Sequence, residues 1–234
     1  MRSSVLVLLG LAAGLAQAQF DNNVPVPGRR PEFVTGVKNQ GIDFEIVYDL
    51  MCSDSAAVHP EFAKFLQSTW TVTNTQVIAE IQVRYTFLPL PYHHEVWIPH
   101  RLVPYFLDNC QFGPHPCQFV DYLNFCFENQ DAVLGAKDSS ENTIVLQWTN
   151  AVATNMSLPQ AELLAVFNNA YDTHDSEWRT RVMYKYNAHH HVTGTPFAFV
   201  NGVLLENFPE TAADWLAVLN GVYQSQYKPK PSLE

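Results

Sequence analysis

From Phe44 to Leu50 apolar and polar positions alternate: Phe44, Ile46, Tyr48 and Leu50 fall on one side, and Glu45, Val47 and Asp49 on the other. A period of two is the pattern of a strand. The period then lengthens. Phe62, Phe65 and Leu66 recur at helical spacing and predict a helix over about 53–68. Pro60 inside it predicts a kink, because proline lacks the backbone N–H and crowds the preceding turn. Alternation returns over Val77 to Leu88, and Pro89 and Pro91 close that run. Strand, helix and strand in this order predict a βαβ unit with parallel strands.

Helical spacing dominates the next hundred residues, over 99–109, 119–130, 141–155, 159–168 and 176–188. Asp138 with Glu141, and Ser157 with Gln160, have the spacing of capping boxes. Two short apolar runs, Phe197–Val200 and Val203–Leu205, flank Asn201-Gly202. That dipeptide tolerates the positive φ that a two-residue hairpin turn needs. A last helix over about 209–223 carries Trp215, Leu216 and Leu219 inward. Residues 19–40 show no periodicity and read as an extended N-terminal arm, and 227–234 read as a tail. The chain therefore predicts one α/β domain over 41–226. Its core comes from about 41–91 and 192–223, and a helical insertion spans about 95–188.

The composition narrows the class. The chain has 234 residues, 47% of them hydrophobic, which is enough to bury a core without relying on disulfides. Its formal charge of −10 repels phosphate backbones and anionic lipid, so neither nucleic acid nor membrane is an expected partner. Arg2, the apolar run Val5–Leu15 and Ala16-Gln17-Ala18 have the order of a secretory signal peptide over 1–18. The run is too short to span a bilayer. The chain ends Lys-Pro-Ser-Leu-Glu, which is not an ER-retrieval signal, so the expected destination is extracellular. Asn155-Met156-Ser157 is a glycosylation sequon that suits the same route.

Secretion gives the four cysteines a meaning. Cys52 stands alone, whereas Cys110, Cys117 and Cys126 cluster. Cys52 lies between the first strand and the first helix. A thiol there faces unpaired N–H groups and the positive end of the helix dipole, which favours the thiolate. The opposite reading is a buried, inert thiol. Gly194-Thr195-Pro196 directly precedes the late hairpin.

At these residues the sequence resembles the thioredoxin-like superfamily, in its DsbA-like branch with helices inserted after the second strand. It is most similar to a group of uncharacterised secreted thioredoxin-like proteins with a Cys-x-x-Ser turn. The segments that carry the resemblance are Cys52-Ser53-Asp54-Ser55, Leu88-Pro89-Leu90-Pro91-Tyr92-His93, Gly194-Thr195-Pro196 and Val200-Asn201-Gly202. They span about residues 41–223 in the family's order. The resemblance implies a thioredoxin-like fold with a helical insertion, and Pro60 at the family's helix-kinking position. It also implies a cis Thr195–Pro196 bond facing Cys52, and a site made of Cys52, Ser55, Thr195 and Pro196.

Two departures shape the expected chemistry. Ser55 stands where DsbA-like oxidases carry their second cysteine, so no disulfide can close within the motif. Ile46 stands where thioredoxins keep a buried acid. Cys52 is thus expected to act, if at all, as a single thiol in thiol–disulfide exchange or isomerisation. Its partners would be polypeptides with cysteines or disulfides, and it needs no cofactor. The rival expectation is a peptide-binding, chaperone-like or purely structural secreted protein.

Cys110 and Cys117 bracket Gln-Phe-Gly-Pro-His-Pro, a turn-forming stretch that favours a disulfide between them. Cys126 is then either a buried thiol or a resolving thiol for Cys52. His93-His94-Glu95 and His189-His190-His191 contain metal-ligand types. Consecutive histidines point in different directions, so solvated helix ends are the expectation and no metal site is assigned. His191 lies five residues before Pro196, which would bring that cluster near Cys52.

Overall fold

The computed structural model describes residues 30–39, 41–168 and 176–227. The expected signal peptide, most of the expected arm and nearly all of the expected tail lie outside them. The end of the arm is ordered as a strand: β1 (Phe33–Gly36) pairs antiparallel with the edge of the sheet. The alternating run forms β2 (Ile42–Tyr48), followed by α1 (Ser53–Gln67) with Pro60 inside it. A small hairpin, β3 (Thr69–Trp70) and β4 (Thr75–Gln76), then precedes one 3-10 turn over Val77–Ala79. The second alternating run therefore enters the sheet only at β5 (Ile81–Phe87). β2 and β5 run parallel, from Ile42 opposite Ile81 to Tyr48 opposite Phe87.

The insertion comprises α2 (Trp97–Asn109), α3 (Phe119–Glu128), the single turn α4 (Asp131–Leu134), α5 (Glu141–Met156), α6 (Gln160–Phe167) and α7 (Ser176–His189). The chain then returns through β6 (Phe197–Val200) and β7 (Val203–Leu204) to α8 (Ala212–Tyr227). The sheet order is β1-β5-β2-β6-β7, with β6 antiparallel to β2. Asn201 and Gly202 turn the β6–β7 hairpin at φ 50° and 78°. The Asn201 amide oxygen also accepts the Asp43 N–H at 2.9 Å, fixing the hairpin to β2.

Both faces of the sheet are covered. On one, Phe44, Ile46 and Tyr48 are fully buried with Phe62 and Phe65 of α1 and Trp215 of α8. The Phe62 and Trp215 rings meet edge-on at 4.8 Å. Each such side chain contributes about 1.5–3 kcal/mol when fully buried. On the other face α7 packs over β5: the Thr86 hydroxyl donates to Asn187 at 3.1 Å, and Asn187 donates to the Phe87 carbonyl at 2.8 Å. Val47, on the second side of the first alternation, is buried there with Leu88, Leu90, Val192 and Tyr184, and Asp49 is buried against Leu90, His93 and His100.

Neither expected capping box forms. Ser140 is the N-cap of α5, and its hydroxyl accepts the Thr143 N–H at 3.3 Å. Ser157 instead terminates α5 in the left-handed region, and Pro159 starts α6 with no side-chain cap.

Candidate active site

Cys52 is the N-cap of α1, in extended conformation at φ −83° and ψ 124°. Its carbonyl accepts the first helical bond, from the Ala56 N–H at 3.1 Å. Its side chain caps no helical N–H. The thiol instead reaches across the sheet end, with Sγ donating to the Thr195 carbonyl at 3.4 Å. The Thr195–Pro196 peptide is cis. Two loops 143 residues apart thus meet at the sulfur, which is 6% exposed. Ser55, one turn into α1, is fully buried and its hydroxyl has no hydrogen-bond partner.

The turn that delivers Cys52 is held by residues that the sequence reading did not select. Asp49 is fully buried, yet its carboxylate is well supplied with donors. Oδ1 accepts the Met51 N–H at 2.8 Å. Oδ2 accepts the Leu90 N–H at 3.0 Å and meets His93 Nδ1 at 2.6 Å. Behind it, His100 donates from Nδ1 to the Val96 carbonyl at 2.8 Å and accepts the Leu50 N–H on Nε2 at 3.3 Å. That pattern is the neutral imidazole, and burial lowers the pKa of His100 in the same sense. Gln130 closes the frame, donating to the Leu50 and Cys52 carbonyls at 3.0 and 2.9 Å. Residues 49–52 are therefore tied to the β5–α2 loop, to α2 and to the start of α4.

The acid absent at position 46 has a counterpart in chain position only. Ile46 lies in the apolar core at 0% exposure, and Asp49 sits on the opposite side of the same alternation. An acid at a strand end, three residues before a candidate thiol, was the available signal. His93, grouped in sequence with His94 and Glu95, is the partner of that acid. Glu95 itself sits at φ 48° in the following turn.

In the second histidine run, His190 faces the start of β2. His190 donates from Nδ1 to the Tyr186 carbonyl at 2.8 Å and lines a cleft with Asp43, Glu45 and Arg84, toward the start of β2. Cys52 follows the other end of that strand. Among the described residues no group of three or more His, Cys, Asp or Glu side chains is arranged to hold a metal ion.

Cys110 and Cys117 are joined, with S–S 2.01 Å and Cα atoms 4.1 Å apart. The Asp108 carbonyl, at the end of α2, receives the N–H groups of Gln111, Phe112 and Gly113 and so folds the loop between them. Cys126 is a free, fully buried thiol on α3, and burial pushes its pKa well up. Such a thiol makes a poor nucleophile. Asn155 is exposed in the last turn of α5. No helix among the described residues is long and apolar enough to cross a membrane.

A parallel βαβ unit, a helical insertion and a ββα return, with a cysteine at the first helix start against a cis-proline loop, define the thioredoxin-like fold in its DsbA-like form. The comparison with solved structures agrees. Wolbachia pipientis alpha-DsbA1 is similar with a TM-score of 0.59 and 14% identity, covering 87% of this chain and 96% of that one. BdbD from Bacillus subtilis, in its oxidised form, gives 0.56 and 12%, with 82% and 92% covered. A structure described as a putative protein-disulfide isomerase from Pseudomonas syringae gives 0.56 and 16%, with 80% and 96% covered. No protein-family model matches the sequence, and no curated protein matches it. The chain has the fold of DsbA-like thiol-disulfide oxidoreductases.

Proposed function

We propose that this is a secreted thiol–disulfide exchange protein working through Cys52 alone. The observation that carries the reading is the placement of Sγ, at the start of α1 and against the Thr195 carbonyl beside cis-Pro196. The thiolate attacks one sulfur of a substrate disulfide: a bond forms between Cys52 and that sulfur, the substrate S–S bond breaks, and the other sulfur leaves as a thiolate. Position 55 offers no sulfur, so an outside thiol such as glutathione releases the adduct by the same exchange. No net electrons move, which is isomerase-type rather than oxidase-type turnover. Polypeptides with cysteines or disulfides are the substrate class, and the signal-like N-terminus and the sequon at Asn155 suit secretion.

The low exposure of Cys52 and the absence of a second motif cysteine favour a second reading, a peptide-binding module without turnover. Scrambled-ribonuclease refolding with glutathione separates the two. The exchange reading expects activity in the wild-type protein, loss with Cys52→Ser, and added insulin reduction with Ser55→Cys. Absence of any Cys52 adduct, together with an inert Ser55→Cys variant, would leave the binding module standing.

A further inference from the structure

The segment Leu88-Pro89-Leu90-Pro91-Tyr92-His93 follows β5, and the exchange step gives its exposed tip no task. Leu88 and Leu90 are buried, and the Leu90 carbonyl accepts the His93 N–H at 3.1 Å. Tyr92, inside that turn, is 72% exposed, the most exposed large apolar side chain among the described residues. Its ring meets His93 edge-on at 4.9 Å. His93 is bound to Asp49, whose carboxylate also holds the Met51 N–H. Tyr92 therefore stands at the end of the sheet that carries Cys52, one ring out from the acid that fixes the turn of the thiol.

The charges at this end have one sign. Asp54 lies in the first turn of α1, two residues past the thiol, and is exposed. Asp131 opens α4 directly after Gln130, whose amide donates to the Cys52 carbonyl, and it is exposed as well. Glu95, two residues past His93, is half-buried. Among the described residues none of these three carboxylates enters an ion pair. Segments 49–56, 88–97, 128–133 and 192–197 supply the thiol, its frame and the cis-proline loop, and they contain no Lys or Arg. The next cation along α2, Arg101, is turned to α6 and α7: it donates to the Val166 carbonyl at 3.2 Å and faces Glu177 at 3.7 Å. Lys137, beyond α4, is followed at once by Asp138. The Asp49–His93 pair carries no net positive charge in either proton state of the imidazole. Exposed charges act over about a Debye length, ~8 Å at physiological ionic strength, and a mouth of one sign gathers the opposite charge. An open aromatic face attracts ammonium and guanidinium groups. The ring and the carboxylates thus favour the same ligand chemistry.

We propose that the mouth of the Cys52 site selects basic polypeptides, in which Lys or Arg flanks the disulfide and is received by the Tyr92 ring and by Asp54, Glu95 and Asp131. This rests on the exchange reading above and names its substrate class. In the step, a bond forms between the Cys52 thiolate and one substrate sulfur, the substrate S–S bond breaks, and the other sulfur leaves as a thiolate. A substrate cation beside that leaving group offsets a negative charge that the acidic mouth would otherwise oppose. An acidic substrate has no such offset and is repelled on approach.

The test follows mixed-disulfide formation on Cys52 of the full-length protein, by intact mass and peptide mapping, at about pH 8, above the ordinary histidine range. Three small disulfides serve as probes: cystamine, a dication; 2-hydroxyethyl disulfide, uncharged; and 3,3′-dithiodipropionate, a dianion. Each rate is divided by that of a blocked, uncharged cysteine peptide, which removes the intrinsic differences between the probes. The proposal expects cystamine to outpace dithiodipropionate by about tenfold or more at about 20 mM salt, with the uncharged probe between them, and the gap to close to about twofold at about 0.5 M. Asp54→Asn combined with Asp131→Asn, both at exposed positions, should cut that ratio several-fold. Tyr92→Leu should lower the cystamine rate about two- to fivefold without slowing the uncharged probe. Equal normalised rates for the three probes overturn the proposal. A preference that salt removes but the Asn double variant keeps belongs to the whole chain, with its formal charge of −10, and overturns it too. An unchanged cystamine rate in Tyr92→Leu overturns the part assigned to the ring. Each of these results leaves the exchange reading intact, because Cys52 has reacted. A Cys52 that reacts with none of the probes overturns the exchange reading and this proposal with it.

Discussion

Replacing Asp49 tests whether the buried frame behind Cys52 holds the turn. The carboxylate serves three donors: the Met51 and Leu90 N–H groups and His93 Nδ1. Asp49→Ala leaves both backbone N–H groups in a site the solvent does not reach, since Asp49 is 0% exposed. The His93 side chain, at 21%, can turn to water and recover part of its bond. Two orphaned N–H donors at about 1–3 kcal/mol each put the loss at about 2–6 kcal/mol. Asp49→Asn keeps one acceptor oxygen. With that oxygen placed toward Leu90 and His93, the amide NH2 faces the Met51 N–H, and one orphaned donor costs about 1–3 kcal/mol. Equilibrium urea unfolding reads the difference. With a slope of about 1–3 kcal/mol per molar, Asp49→Ala should lower the midpoint by a molar or more, and Asp49→Asn by roughly half as much. The slope itself should not change. His93→Ala should be milder than either, and in a double-mutant cycle with Asp49→Asn the two losses should fall short of their sum. Unfolding free energies for both Asp49 variants within about 0.5 kcal/mol of wild type, the range of ordinary surface changes, would refute the frame.

Stability should also depend on pH through His59 and His100, which burial holds neutral below their ordinary range. The unfolded chain protonates each near pH 6.5 while the folded protein does not, so stability present above that pH is lost as the pH falls, by up to about 1.4 kcal/mol per pH unit for each. Glu32 and Glu45, held up by burial, act oppositely, with stability present below about 4.5 and lost as the pH rises through their folded values. The measurement is therefore a comparison: His59→Leu should flatten the dependence by one histidine between pH 6.5 and 5.5, and an unchanged slope would contradict the assignment. Removing the Cys110–Cys117 bridge by a double alanine substitution should cost about 2–3 kcal/mol for so short a loop, read by guanidinium unfolding. A loss below 0.5 kcal/mol would mean that the Asp108 carbonyl turn and the Arg179–Asp108 ion pair hold the loop unaided.

Elements with a strong period were legible in the sequence, and those set by distant packing were not. β2 and α1 show their periods because each buries a continuous face, and the Asn201-Gly202 hairpin because few dipeptides accept its backbone. β1 has four residues and no alternation that a window can detect; its register comes from β5. The β3–β4 hairpin pairs only two residues on each side. Cys52, Ser55, Thr195 and Pro196 could be selected through motif and order. Asp49 offered only its place three residues before the thiol, because an acid on the second side of a strand reads as solvated until something covers that side. What surrounds its carboxylate is the β5–α2 loop with Leu90 and His93, and His100 of α2, about 40–50 residues later. Gln130 has no local signal at all: its two bonds to the Cys52 turn come from the insertion.

Around the thiol the buried polar groups divide into two sets with opposite bookkeeping. Asp49, His93, His100 and Gln130 are partnered and converge on backbone atoms of residues 50–52 and 90. A satisfied polar network of this kind fixes one geometry for the turn, and a backbone so fixed suits an attacking sulfur that must meet an incoming disulfide in line. The Ser55 hydroxyl, His59 Nδ1, the Tyr48 hydroxyl and Thr195 Oγ1 lack partners, although His59 Nε2 ties α1 to Asn124 of α3. Ile46 makes the contrast sharper. With no acid at position 46 on the core side of β2, the buried polar residues of α1 are Ser55 and His59. The frame on the other side is already committed to the backbone.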